Sequence, residues 1–215
     1  IMSFLSQIRI VLVEPSHPGN IGSVARAMKT MGLSNLVLVN PKKFPHIEAT
    51  KLAAGAESVL LDANVMTSTR EAVADCTMVL GTSVRDREVT WPTFDPRQTA
   101  SIAVEHLVGA SSAHQVAVLF GRESSGLTNA EMDLCQSQIR ISANSEYSSL
   151  NLASAVQIIA YEMRMQSNAV SAGLLMSDES IGSAVDESIN VTPAQMRQQA
   201  ATKQQLDGHF EHLQH

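Results

Sequence analysis

Along the first 166 residues, short apolar runs alternate with segments whose apolar positions recur every three to four residues. The runs at 8–13 (IRIVLV), 35–40 (NLVLVN), 58–61 (SVLL), 77–82 (TMVLGT), 116–121 (VAVLFG) and 138–142 (QIRIS) predict strands. The spacing between them predicts helices over 21–32, 48–54, 69–75, 98–108, 128–135 and 150–166. Strands that are apolar at nearly every position are buried on both faces, so the expected fold is α/β, a parallel sheet flanked by helices. Sheets of this kind bind ligands in the loops beyond the carboxyl ends of their strands.

The pattern fails after Gln166. The stretch SNAVSAGLLMSDESIGSAVDESINV is rich in Ser, Gly and Asp and has no sustained period, so residues 167–191 are expected to form a flexible acidic linker. Thr192-Pro193 then resembles a helix start, with Leu206, Phe210 and Leu213 on one face. The expected organisation is one domain over 1–166, the linker, and the beginning of a C-terminal helical region over 192–215.

Composition narrows the function. The 215 residues are 44% hydrophobic and carry a net charge of −6, which argues against a generally basic nucleic-acid binder. Residues 1–166 hold 13 basic and 15 acidic side chains, against 2 and 6 in the remainder. The acid excess therefore sits mostly in the tail and leaves room for a local basic patch on the domain. No apolar run is long enough to span a membrane and the N-terminus lacks signal-peptide features, so a cytoplasmic protein is expected. Cys76 and Cys135 sit in apolar contexts and read as buried free thiols rather than a disulfide. There is no CxxC or HExxH. His209, His212 and His215 read as a solvated helix face, so no metal is expected.

Four loops after strands are unusual: EPSHPGNIG, GTSVRDREVTWPTFDPR, FGRESSGLTNAE and SANSEYSSLNLASA. None contains GxGxxG after a strand or GxxxxGK[ST], so the common nucleotide sites are unsupported. GRESSG lacks the GxSxG of a nucleophile elbow, which disfavours a serine hydrolase. Each loop also has a plain structural reading. Gly19, Gly22 and Gly126 are turn glycines on that reading, Thr128 opens a capping box, and SSLNLASAVQ packs closely on the sheet. Together, however, the loops bring Asn20, Arg26, Arg85, Arg122, Glu123, Ser149 and Asn151 towards one edge.

The segments PGNIGSVARAMKTMG, LFGRESSGLTNAE and IRISANSEYSSLNLASAVQIIAYE resemble, in order, the three motifs of the SPOUT RNA methyltransferases, and most closely the TrmJ family. The resemblance covers roughly residues 8–166. It implies a C-terminal deep trefoil knot, which topology rules alone would disfavour, and a homodimer. It also implies 2′-O-methylation of the ribose at position 32, cytidine or uridine, in the tRNA anticodon loop, with S-adenosyl-L-methionine as methyl donor. The cofactor contacts fall on Thr82, Ser83, Val84, Gly121, Ile141, Ser148, Ser149 and Leu150. Helices 21–32 and 150–166 would form the dimer interface through Ala25, Met28, Met31, Ala155, Ile159 and Met163.

The same resemblance marks Arg26, Asn20, Glu123, Ser149 and Asn151 as catalytic. A ribose hydroxyl is a weak acid, so nearby positive charge or a base is needed. Arg26 is expected to clamp a phosphate and lower the hydroxyl pKa. Glu123 either takes the proton or orients Arg26, and Asn20 and Asn151 hold these side chains. In this reading Pro18–Gly22 is a turn approaching the RNA, with Arg26 about a helical turn beyond it. Arg26, Lys42, Lys43, Arg85, Arg87 and Arg122 are the candidates for RNA contact, while Trp91 packs its loop. The rivals are methylation at another tRNA or rRNA site, a non-catalytic RNA-binding module of the same fold, and a small-molecule-binding domain.

Overall fold

The computed structural model describes residues 4–83, 91–108, 110–111 and 113–173. Of the expected linker over 167–191, residues 174–191 lie outside these residues, as do the C-terminal helical region, Val84, Arg85 and Arg87.

A short 3-10 turn leads into β1 (Ile8–Val13), followed by α1 (Pro18–Met31), β2 (Asn35–Val39), α2 (Ile47–Ala53), α3 (Glu57–Leu61), β3 (Asn64–Met66) and α4 (Thr69–Val73). Then come β4 (Met78–Thr82), β5 (Thr93–Phe94), α5 (Pro96–Leu107), β6 (Val116–Phe120), α6 (Asn129–Met132), β7 (Ser137–Ile139) and α7 (Leu152–Ser171). The seven strands form one sheet in the order β3-β2-β1-β6-β4-β7-β5, and every pairing is parallel. No described helix is long and apolar enough to cross a membrane.

The central strands β1, β2 and β6 are apolar at nearly every position because successive side chains feed two different cores. Ile8, Ile10 and Leu12 of β1 join Val116, Val118 and Phe120 of β6 under α1, α5 and α7. Val11 and Val13 join Ala117 and Leu119 on the opposite face, with Val73, Cys76, Met132 and Cys135. Both cysteines are buried and free, as expected. Burial pushes the Cys76 thiol up to about 12, which makes it inert.

Several expectations need correction. The SVLL run is helix α3, not a strand: a four-residue apolar run has no period to separate the two. Val59 and Leu60 of α3 are buried, and the true strand β3 follows at Asn64–Met66. β3 and the two-residue β5 are edge strands too short to leave a signal. α7 runs five residues past Gln166, to Ser171, with Ser167 buried.

The N-terminus of α1 is the most consequential correction. Pro18, Gly19 and Asn20 form its first turn rather than a loop facing RNA. Gly19 and Gly22 are buried against α2: a Cβ on Gly22 would lie 2.1 Å from the Ala49 carbonyl oxygen. These glycines allow two helices to cross closely.

The residues expected at a dimer interface are also reassigned. Ala25, Met28, Ile159 and Met163 are fully buried within one chain, where α1 and α7 share a core. The outward face of α7 instead presents Ile158, Tyr161 and Met165, which are 37%, 48% and 46% exposed.

Candidate functional site

Three neighbouring strands, β6, β4 and β7, end at one cavity of about 180 Å³. Its walls include Thr82 and Ser83 at the end of β4, Phe120 and Gly121 at β6, Ile139 and Ile141 at β7, and Ser149, Leu150 and Leu152 at the start of α7. Of the residues expected to hold a cofactor, Thr82, Ser83, Gly121, Ile141, Ser149 and Leu150 all line this cavity. Ser148 is exposed beside it, and Val84 lies outside the described residues.

The loop after β6 closes one side. Arg122 and Gly126 exchange two backbone hydrogen bonds of 3.2 and 2.8 Å, so residues 122–126 form a tight antiparallel turn. Gly126 takes a φ of 66°, the left-handed region that favours glycine. Thr128 opens α6 with the expected capping box to Glu131.

Glu123 leaves this turn and meets the start of α1. Its carboxylate accepts hydrogen bonds from the Ser16 amide and hydroxyl, each at 3.1 Å, from the His17 amide at 3.4 Å and from Asn20 Nδ2 at 3.1 Å. His17 is the N-cap of α1 and makes no side-chain cap of its own. Glu123 therefore supplies from a distant segment the negative charge that a helix start favours. Asn151 Nδ2 donates to Asn20 Oδ1 at 3.2 Å, while Asn151 Oδ1 caps α7 through the Ala153 amide. The network Glu123–Asn20–Asn151 thus joins the starts of two helices at the cavity edge.

Burial alone would raise the Glu123 carboxyl. The backbone donors and Asn20 outweigh it and hold the group below its ordinary range. A carboxylate so held is a poor proton acceptor. The geometry favours Glu123 as an anchor, and none of its hydrogen bonds in the structure reaches Arg26.

Arg26 stands apart from this cluster. It is exposed on α1, six residues beyond Asn20, or about 9 Å along the axis. Because α1 starts at Pro18, Arg26 is more than two turns into the helix rather than one. Arg122 is engaged elsewhere. Its guanidinium forms paired hydrogen bonds to Glu14, at 2.6 and 3.0 Å, and to Glu131, both at 3.0 Å. Only 21% of its side chain is exposed, so little of it remains for a phosphate. Lys42 and Lys43 are exposed, and the Lys42 amide binds the Pro15 carbonyl oxygen, which brings that loop beside the start of α1. Trp91 packs against the second core.

Sequence reading missed Glu14, Ser16 and Glu131. The signal for the first two was the acidic-polar EPS between an apolar strand and the HPGN segment. Glu131 was visible only as half of a capping box.

These carboxylates give the domain a defined acid response. The Arg122 hydrogen bonds lower Glu14, and both Glu131 and Glu123 also lie below the ordinary 4.5 despite burial. Unfolding releases these groups to their ordinary affinity for protons. Their stabilisation is therefore complete above about pH 4.5 and lost as pH falls through the lower folded values. Thermal denaturation between pH 3 and 7 should show the melting temperature falling below pH 4.5, and falling less in Glu123→Gln.

A parallel α/β domain with a small, largely apolar cavity at a strand edge, rimmed by an anchored carboxylate and two asparagines, has the form of a methylase domain. Residues 7–161 match the SpoU rRNA Methylase family, and the chain belongs to that family, in its TrmJ branch. It is 52% identical over 161 residues to the tRNA (cytidine/uridine/adenosine-2′-O-)-methyltransferase TrmJ of Pseudomonas aeruginosa, over 75% of this chain and 62% of that protein. The chain therefore spans less than two thirds of that relative's length. The crystal structure of TrmJ from Z. mobilis superposes with a TM-score of 0.71 at 31% identity, covering 96% of this chain and 99% of that one. The fold is shared with the SpoU methyltransferase AviRb of Streptomyces viridochromogenes, solved with AdoMet, at 23% identity and a TM-score of 0.57 over 74% of this chain and 60% of that one.

Proposed function

We propose that the protein methylates the ribose 2′-hydroxyl of a tRNA nucleotide, at position 32 of the anticodon loop, using S-adenosyl-L-methionine. One observation carries the reading: residues from three separate motifs converge, with Gly121, Ser149 and Leu150 lining the cavity and Glu123, Asn20 and Asn151 hydrogen-bonded along its edge.

The cavity suits this donor chemically. Ile139, Ile141, Leu150 and Leu152 offer an apolar surface to adenine, while Thr82, Ser83, Ser124, Ser125 and Ser149 offer hydroxyls to ribose and amino-acid ends. The cation in its wall, Arg122, is neutralised by two carboxylates and does not repel a sulfonium. Bound S-adenosylmethionine supplies an activated methyl group, so no Lewis acid is required.

The chain's own residues must align the acceptor oxygen and ease its deprotonation. Asn20 and Asn151 fix the helix starts that border the acceptor position. Glu123 holds α1 in place as a carboxylate. Arg26, with Lys42 and Lys43, carries the positive charge for the backbone phosphates and lowers the hydroxyl pKa through space. Arg85 and Arg87 are candidates for RNA contact from the sequence alone. The protein acts in the cytoplasm, where tRNA is processed, and its knotted C-terminal segment follows from the family resemblance. The catalytic domain extends through α7 to Ser171.

The protein is expected to be a homodimer through the exposed face of α7. Tyr161→Glu should then halve the mass seen by light scattering at micromolar concentration. A wild-type monomer would overturn this assembly.

The function is tested by incubating the protein with methyl-labelled S-adenosylmethionine and bulk tRNA lacking the modification, then mapping the labelled nucleotide. Label on the ribose at position 32 is expected. Label elsewhere would reassign the site. Cofactor binding without transfer would point to a non-catalytic RNA-binding module, and binding of neither ligand to a different class of domain.

A further inference from the structure

We infer that Arg122, held between Glu14 and Glu131, is a positioning residue that sets the methyl-donor side of the site against the acceptor side. The inference rests on the methyltransferase reading above.

Three consecutive residues at the turn after β6 make three different sets of contacts. Gly121 lies so close to Gly126 and Leu127 that an added Cβ would fall 2.1 Å from the Gly126 carbonyl carbon. Arg122 reaches Glu14, the residue following β1, and Glu131 in the first turn of α6. Glu123 caps α1. Gly121, Arg122, Glu123 and Gly126 all line the cavity, and Glu123 also reaches Ser16, His17 and Asn20 at the start of α1. The guanidinium, tied to Glu14 on one side and Glu131 on the other, fixes where the turn carrying these residues sits between the cavity and α1.

Two further observations support the assignment. Glu14 adopts a φ of 47°, the left-handed region that non-glycine residues rarely occupy. Such strain persists where the surroundings over-determine it, and it clusters at functional sites. Here the left-handed turn stands directly after β1, where the Glu14 side chain meets Arg122. Both carboxylates also make paired contacts with one planar cation, a geometry that a lysine ammonium cannot reproduce. Without the arginine, two carboxylates would share one site with neither of their paired hydrogen bonds and only the more distant charge of Lys42 on Glu14 to offset their repulsion, and the turn would be pushed open.

The test compares wild type with Arg122→Ala, Arg122→Lys and the double variant Arg122→Ala/Glu14→Gln. Its readouts are amide hydrogen exchange over residues 121–128, calorimetric titration with S-adenosylmethionine, and steady-state kinetics on tRNA at two salt concentrations. In Arg122→Ala the amides of Arg122 and Gly126 should lose protection. Cofactor affinity should fall roughly tenfold, and kcat at saturating cofactor should fall by about 10²-fold, the scale of a misplaced reacting group. The KM for tRNA and its salt dependence should stay as in wild type. Removing the Glu14 charge should restore part of the protection and affinity, and Arg122→Lys should rescue only weakly.

Unchanged exchange and affinity in folded Arg122→Ala would overturn the inference. So would a raised KM for tRNA with a shallower salt dependence, since that marks a direct phosphate contact. Should the alanine variant not fold, the lysine variant carries the same comparison. Should the wild type bind no S-adenosylmethionine, the functional reading falls, and the exchange data still decide whether Arg122 holds the turn.

Discussion

Replacing Arg26 with alanine should lower methyl transfer by about 10²-fold or more while leaving the fold and cofactor affinity intact. The structure explains why the effect should be so selective. Arg26 is exposed on α1, and its guanidinium has no hydrogen bond or ion pair among the described residues. Its removal therefore breaks no contact that holds the domain together, and it lies outside the cavity wall. What is lost is a cation available to the acceptor strand. A guanidinium hardly ever gives up its proton in a protein, so Arg26 acts through charge and hydrogen bonds rather than as a base. Arg26→Lys should rescue poorly, because an ammonium lacks the planar fork that binds phosphate. Single-turnover transfer to tRNA, run beside calorimetric cofactor titration, checks both halves. Near-normal turnover in Arg26→Ala would reduce the PGNIGSVAR segment to a helix start.

Gly121→Val should abolish cofactor binding, and with it all transfer. Any side chain at this position runs into backbone: its Cβ would meet Gly126 C at 2.1 Å, Leu127 N at 2.2 Å and Gly126 O at 2.5 Å. Backbone cannot yield as the end of a flexible side chain does. The whole turn must move, and it carries Gly126 of the cavity wall together with Arg122 and Glu123. Gly121→Ala should already weaken binding, with valine adding a branched side chain beside the cavity. Calorimetry with S-adenosylmethionine reads the loss, and circular dichroism establishes that the domain still folds. Retained affinity in Gly121→Val would mean that the donor binds elsewhere. Set beside Arg26→Ala, this variant separates capture of the donor from chemistry at the acceptor.

How far the sequence reveals this molecule depends on which physical signal each part leaves. β1, β2, β4 and β6 stand out because burial on both faces demands unbroken apolar runs. The helices α1, α5 and α7 stand out through their period, and Thr128 through its capping box. α3 was misread because SVLL is too short to show a period, and β3 and β5 because two or three residues at a sheet edge need not be apolar. The candidate site was legible as a set of motifs, since Gly121, Ser149, Leu150, Glu123, Asn20 and Asn151 do converge. Their individual roles were less legible. A sequence places Arg122 in a polar loop, where it reads as an RNA contact. Only the fold shows Glu14 and Glu131 on either side of it, 108 and 9 residues away. Gly22 likewise reads as a loop glycine until α2 is seen lying across it.

The capping of α1 by Glu123 also bears on how the protein comes into being. Ser16, which leads into this helix, lies 107 positions before the carboxylate that its amide reaches. During synthesis the strand and helix leave the ribosome long before this carboxylate exists, so the turn into α1 gains its partner only once the segment that follows β6 is made. The acceptor side of the site is consequently among the last parts of the domain to become ordered. A nascent chain halted before Glu123 would hold much of the sheet but lack the carboxylate that joins the start of α1 to the turn after β6.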